Sequence, residues 1–585
     1  MLGKDLLLLF IVDSSCLQAH ARYLVTGVSK HGTRELQKLG ALLSNRKKIL
    51  SGLTASMALL LVFGGRATCA AATTGCDGAG NCYVRAGATG TQSGADWNNA
   101  YTDLPKSLTR GVTYWVAGGT YHGHLFNDPD SGTTVITIKA PTSTNHGTDT
   151  GWSNSYQSQA VFDTTDTSAV GDIFTFQTDY YVLDGSYRQT SSGLPETDWP
   201  TESGYGFMVD NSSKIVCNAD IDFGDNSNTT PLPVHNITIQ YVDVNGSHTT
   251  TASGCREQGL TSMWGSHDNT VQYNYIHDTG GTILFMGGGQ YTCSAAGPPP
   301  TCSSTPRSGY GSGANILVQY NYFARDFSDP SAHAEGCSCH EGLKNLTFAY
   351  NYWQDINGTA IIAPAAAGDW NNGNGGFGPW YVYGNVVFET SCSAVSRGDG
   401  NPGVAGFIYL FDSAWTGDLY VFNNTFYNFP SSCNTFIGVV LGDGGYQNPM
   451  NAVYVQNNLY SNIGSSLLVI NNSCPDSPSG DPTCTSITNS YNAYFNSPDA
   501  ASDPESNIQY STSAAPFVNA ATYDFRLSTD TTSGFNTNSL VSGNGTDLLG
   551  TTRGANGTWD RGAFQISGTS QAPTSPSGVP SAAVH

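Results

Sequence analysis

The sequence predicts an all-β chain wound as one parallel β-helix solenoid with long loop inserts. Three observations predict it. A unit with asparagine at a fixed offset from apolar residues recurs seven times. A second apolar run follows at a constant distance in three of those units. The composition suits strands and turns: Gly is 68 of 585 residues, charged residues are 12%, and Lys, Glu, Arg and Leu are sparse beyond residue 70.

The repeat is clearest when the chain is aligned on Asn274, Asn321, Asn351, Asn385, Asn424, Asn458 and Asn492. Two residues later stands Ile276, Phe323, Trp353, Val387, Phe426, Tyr460 or Tyr494. Three residues earlier stands Val271, Val318, Phe348, Val382, Val421 or Val455, with Asn489 as the exception. Five residues earlier the position is again apolar, from Ile316 to Ile487, with Asn269 as the exception. Period-2 alternation ahead of each Asn predicts a strand with one buried face. The pattern breaks at the Asn, which tolerates left-handed dihedrals and bonds its own backbone. The second runs are GTIL (281–284), GTAI (358–361) and SSLL (465–468). Strand, Asn turn, strand and loop make one coil. Coils stacked at strand spacing put the asparagines over one another, where their amides can form a ladder. Spacings of 47, 30, 34, 39, 34 and 34 residues mark a constant stack with loops projecting from it. An antiparallel sandwich has no need of Asn at one offset in seven consecutive units.

Arg46-Lys47-Lys48, the apolar ILSGLTASMALLLVF (49–63) and the small residues after it read as a secretory signal, cut between Ala67 and Ala72. The apolar core is short for a membrane span. Residues 1–45 are an N-terminal extension, consistent with an over-extended start, and 46–70 the signal peptide. Residues 1–70 hold 9 of the 23 Lys+Arg and 3 of the 45 Asp+Glu, so the remainder has 14 basic and 42 acidic residues, a net of 14 − 42 = −28. Such a surface repels nucleic acid and anionic membranes.

A cut after residue 70 leaves 12 of 14 cysteines, an even number that favours disulfides in an exported chain. Short separations suggest Cys76–Cys82, Cys293–Cys302 and Cys474–Cys484; Cys392–Cys433 and Cys217–Cys255 are looser pairings. Cys337 and Cys339 have no obvious partners. Zinc is the rival reading, without a CxxC pair to support it.

With the Φ-x-x-N-x-Φ units over about 269–495, the openings CYVRAGATGTQSGADWNNAYTDL (82–104) and YWVAGGTYHG (114–123), and the closing DFRL (524–527) and DRGAF (560–564), the chain resembles the secreted right-handed parallel β-helix proteins of the pectate-lyase-like superfamily. The resemblance implies a right-handed coil and an extracellular protein acting on polysaccharide. The expected organisation is a β-helix domain over 71–566, its first coil and cap at 71–110, its end closed by 496–566. A Pro/Ser-rich tail expected to be disordered follows at 567–585.

Candidate chemistry centres on two segments, 256–284 and 333–361, which match in register at an offset of 77 residues. That register sets Arg256 over His333 and Gln258 over Glu335, two coils apart. The run ARDFSDPSAHAEGCSCHEGLK (324–344) is the densest in titratable residues. His333, Glu335, Lys344 and Arg325 are the catalytic candidates, because β-elimination needs a base with a cation on the uronate, and hydrolysis needs a carboxyl acid with a second carboxylate. Asp326 and Asp329 are metal candidates, with Ca²⁺ the implied ion; acidic turns at 220–225 and 127–130 are further ones. Arg256 and Gln258 are substrate-binding candidates. Trp370 and Trp415, on long inserts, are sugar-stacking candidates; Trp380 sits at a buried strand position. His277-Asp278 reads as loop capping.

These features point to a secreted polysaccharide lyase or glycoside hydrolase, a monomer working on the flank of the solenoid. The alternative is a non-catalytic extracellular glycan-binding or adhesion protein. No nucleic-acid partner is expected, and no membrane partner after signal cleavage.

Overall fold

The computed structural model describes residues 76–567, apart from 165–170, 214–215, 217, 225–232, 249–256, 263–264, 288–312, 327–334, 340–342, 364–377, 392–403, 411–416, 431–434, 442–451, 465, 472–485 and 498–504. The N-terminal extension, the signal segment and the tail beyond 567 lie outside the described residues, as do Cys293–Cys302, Cys474–Cys484, Cys392–Cys433 and Cys217–Cys255.

Three long parallel sheets form a right-handed parallel β-helix. Each coil visits sheet I, then II, then III. Sheet I has twelve strands, from Asn81–Val84 to Ser486–Ser490; sheet II has twelve, from Gly119–His122 to Gln509–Ser511; sheet III has ten, from His124–Phe126 to Ser466–Asn471. Register is held coil to coil: Val271 pairs with Val318, then Phe348, Val382, Val421 and Val455. The residues that alternate inward fill one continuous core, in which Ile276, Phe323, Trp353, Val382 and Trp380 are buried. No helix among the described residues is long and apolar enough to cross a membrane.

The asparagine ladder occupies the corner between sheets I and II. Asn274 Nδ2 donates to Asn321 Oδ1 (3.1 Å), and the relay continues through Asn351, Asn385, Asn424 and Asn458 to Asn492 at 2.9–3.0 Å. Each of these amides also donates to a strand carbonyl in the previous coil, as Asn351 does to Val318 O (3.0 Å). At the far end Asn492 donates to Glu505 Oε1 (2.7 Å) and to Asn489 Oδ1 (2.8 Å). The exception at Asn489 therefore serves as a terminus. Asn269 is buried and its Oδ1 accepts from Ile237 N (2.9 Å), so a polar group stands at a core position because a backbone donor needs it.

The turn chemistry differs from expectation in one respect. The left-handed residue is the one before each ladder asparagine: Tyr273, Tyr320, Tyr350, Asn423, Asn457 and Tyr491, all at φ between 53° and 59°. The ladder amide needs an ordinary backbone to aim inward, so its neighbour takes the strain. Left-handed tyrosine costs about 1–2 kcal/mol. Stacking offsets it: the rings of Tyr241, Tyr273, Tyr320 and Tyr350 follow one another at 5.0–5.2 Å. This accounts for the first tyrosine of the Tyr-Asn-Tyr triplets at 273–275, 320–322 and 350–352. Gly384 takes the place at φ 67°, where an added Cβ would lie 2.5 Å from the Tyr350 ring.

At the N-terminal end Trp97 is buried against Tyr83, Trp152 and Tyr156, at centroid distances of 5.0–5.5 Å, and covers the first coil. The C-terminal segment first lies over the last coil, where Glu505 takes the final ladder amide and Ser506 bridges Ser490 of sheet I. It adds one strand to sheet II, Gln509–Ser511, then runs back along the flank. There Phe535 N donates to Asn457 Oδ1 (2.8 Å), Asn544 Nδ2 to Asn423 Oδ1 (3.0 Å), and Arg561 to Asn492 O (2.8 Å). Two of these partners, Asn423 and Asn457, belong to the left-handed row. Cys76 and Cys82 are bonded as expected. Cys337 and Cys339, left unassigned by the sequence, are bonded to each other: as residues i and i+2 of one strand they share a face.

Candidate functional site

Connection lengths select the face on which chemistry can sit. From sheet I to sheet II the chain needs one or two residues in eight successive coils, from Gln240–Val242 to Ser490–Ala493. The ladder enforces this, because every coil must deliver its amide to the same place. From Gln240 onward the long inserts therefore fall at the corners that border sheet III, whereas the two preceding coils carry 140–159 and 185–206 between sheets I and II. The chain runs from Asn245 to Gln258, from Ala324 to Cys337 and from Phe388 to Val404 before entering it, and from Met286 to Ala314, Ala363 to Trp380 and Asn471 to Ser486 on leaving it.

The outward row of sheet III alternates with the core residues Phe174, Ile221, Leu260, Leu284 and Cys337. It reads Thr175, Asp222, Thr261, Phe285, Ser338 and Ile362, in register over successive coils. It is polar toward the N-terminal coils, apolar further on, and carries a carboxylate but no cation. Leu260, Leu284 and Cys337 pair in turn, so the offset between the two candidate segments is 337 − 260 = 77 and spans two coils. Gln258 and Glu335 thus stand at equivalent stations where the chain enters sheet III.

The other candidates separate along one coil. Glu335 is 4% exposed. Arg325 lies earlier, just after the sheet II strand Tyr322–Ala324, and Lys344 lies beyond the far end of the Cys337–Cys339 strand, at the start of sheet I. Asp326 is buried and its Oδ1 accepts from Asn357 N (2.7 Å), which ties it to the next coil. Gln258 Oε1 has no hydrogen-bond partner among the described residues. Arg256, His333, Asp329, Trp370 and Trp415 lie outside the described residues. Trp380 is fully buried, as its strand position predicts. Asp128, from the acidic turn at 127–130, accepts from Leu108 N (2.7 Å) and Tyr181 Oη (3.2 Å). Among the described residues no three His, Cys, Asp or Glu side chains gather as a metal shell would.

Sequence reasoning missed two polar clusters beside this face. In the first, His277 is fully buried, with Nε2 2.9 Å from Asp243 Oδ1 and Nδ1 2.6 Å from Asp278 Oδ2. Tyr275 stacks on its ring at 3.8 Å. Arg325 clamps Asp278 through Nε (2.8 Å) and Nη2 (2.5 Å), and Nη2 reaches Tyr275 Oη (2.9 Å). His277-Asp278 is therefore not loop capping but the centre of a charge network linking three coils. Burial pushes the Asp243 carboxyl up to about 6 against the attraction of His277. Burial opposes charge on His277, yet its two carboxylates raise it overall, and bonds from Arg325 and His277 overcome burial to hold Asp278 well below the carboxylate range.

In the second cluster Glu257 is buried and accepts from Asn211 Nδ2 (2.8 Å), Ser247 N (2.9 Å) and Gly280 N (2.8 Å). Asp220 is buried beside it, with neither oxygen bonded among the described residues. Burial first, then the Glu257 charge, raise Asp220 well above its usual value. The signal was faint, because Asp243 and His277 stand 34 residues apart and meet only through the stack.

The signs of these shifts set a pH window. Asp243, Asp220 and His277 bind protons more tightly when folded. Their contribution is complete at acid pH and is lost as pH rises through their raised values, about 6 for Asp243. Asp278 has the opposite sense: its contribution is present above 3.8 and lost as pH falls below that value. Thermal stability should therefore peak near pH 4 and decline toward about pH 6 as Asp243 loses its proton. Asp243→Asn should flatten that decline in melting curves taken across the range.

Neither a protein-family model nor a curated protein matches the chain. Solved structures do. A PL6 family polysaccharide lyase from Pseudopedobacter saltans is 13% identical, with 69% of this chain and 88% of that chain covered and a TM-score of 0.32. The pectate lyase Pel9A is 11% identical over 69% of this chain and 83% of that one, TM-score 0.31. A family 28 exopolygalacturonase from Yersinia enterocolitica is 10% identical over 70% and 74%, TM-score 0.27. Such distant likeness assigns no chemistry, and the coil architecture stands on the chain's own strand register.

Proposed function

We propose that the protein is an exported polysaccharide-cleaving enzyme whose site is the outer face of sheet III. The observation that carries the reading is that from Gln240 onward the long connections all leave from the two borders of that face, on either side of a surface long enough for a polysaccharide. Glu335 serves as acid or base, with His333 beside it in sequence and Arg256 and Gln258 at the equivalent station two coils away. Trp370 and Trp415 come from bordering connections and suit sugar faces. The described floor holds no Lys or Arg, which counts against elimination from a uronate, and its one carboxylate, Asp222, is fully buried. Export is supported by the signal-like segment and by two disulfides.

One observation favours the alternative of glycan binding without cleavage: Glu335 is almost wholly covered. A polysaccharide panel read by reducing ends and by the absorbance of unsaturated uronides separates the two. Glu335→Gln should lower kcat by about 10²-fold or more with KM little changed. Glycan binding without either product signal on any substrate would replace the enzyme reading with the binding one.

A further inference from the structure

We propose that the outer face of sheet I is a second glycan surface, which takes an uncharged, fully extended β-1,4-linked polysaccharide lying along the axis of the coil. The inference rests on the polysaccharide reading above but concerns a different face.

The three faces are unequally covered. Sheet II is overlaid by its own chain: Trp199 packs on Tyr352 at 5.6 Å, and Phe525 on Phe388 at 5.3 Å. Sheet III is bordered by the long connections. Sheet I presents an outward row that includes Thr238, Thr270, Thr347, Tyr381, Tyr420 and Tyr454, in register and each half-exposed. The three tyrosines stack within 3° of parallel at 5.2 and 5.1 Å. Alongside, Gln319 donates to Gln272 and Gln272 to Gln240, both at 2.8 Å. On the other side Asn345 donates to Asn315 and Asn315 to Asp268, both at 2.7 Å.

Each group thus recurs once per coil, at a strand spacing of roughly 5 Å. A fully extended β-1,4-linked glycan advances by nearly the same distance per sugar, so successive sugars meet successive rungs without losing register. A helical α-linked glycan curves away. The tyrosine rings cover one another's faces and leave no gap for a sugar, so the chain would lie across their edges and hydroxyls. The side chains hold one another in place, which lowers the ordering cost of binding. Charge selects further: the row holds no charged residue, and the protein carries −22 overall, so a polyanion finds no cation while a neutral polymer meets no repulsion.

The test is depletion of the full chain from solution by microcrystalline cellulose at low and high salt, run beside the cleavage and binding panel on soluble glycans. Wild type should be retained about equally at both salts. The triple variant Tyr381→Ala, Tyr420→Ala, Tyr454→Ala should bind at least about tenfold more weakly. Thr270→Arg with Thr347→Arg, at half-exposed outward strand positions, should also lose binding while action on soluble glycans is kept. Retention of both variants at wild-type strength overturns the inference. Wild type that acts on soluble glycans but is not retained overturns it alone; no interaction with any glycan overturns the polysaccharide reading with it.

Discussion

Asn351→Ala should destabilise the protein by about 3–5 kcal/mol, because truncation strands several buried groups at once. Asn351 Nδ2 serves Val318 O and Asn385 Oδ1, both at 3.0 Å, and its Oδ1 accepts from Asn321 N and Asn321 Nδ2, both at 3.0 Å. Alanine leaves buried Asn321 N and one Asn321 Nδ2 hydrogen without their acceptor, the other Nδ2 hydrogen keeping Val271 O (2.8 Å). Asn351→Asp keeps the acceptor but puts a carboxylate against two oxygens, so it should be worse at pH 7 than at pH 4. Denaturant unfolding of both variants checks this, and a loss under about 1 kcal/mol for alanine would show that the amide run adds little.

The second large effect is at Asp278. Asp278→Ala should cost about 3–5 kcal/mol, because it leaves Arg325 charged and unmatched in a largely buried setting and removes one of the two carboxylates on His277. The informative comparison is the double variant with Arg325→Met. Replacing both members of a buried ion pair is tolerated better than removing one, so the double variant should be more stable than Asp278→Ala alone. Equal losses in the two would mean that packing rather than charge sets the effect.

The coil was legible because the ladder demands one residue type at one place in every turn of the solenoid, and periodicity exposes such a demand. The offset between the segments containing Gln258 and Glu335 was legible for the same reason. The identity of the left-handed residue was not, since Asn274 and Tyr273 are neighbours and asparagine's own turn preference drew attention to the wrong one. Nor was the network around His277, whose partners Asp243 and Arg325 belong to other coils and share no motif with it. The path of the last segment escaped as well: contacts such as Asn544 with Asn423 join residues 121 apart and carry no period.

The short joints between sheets I and II make this scaffold tolerant of change in one direction only. Extra chain spliced between Gln319 and Tyr322 would throw the amides out of step, whereas extra chain between Met286 and Ala314 merely enlarges an existing excursion. Beyond Gln240, novelty can accumulate along one flank over generations while the opposite flank stays fixed. That asymmetry lets a single architecture be retuned to new ligands without being rebuilt.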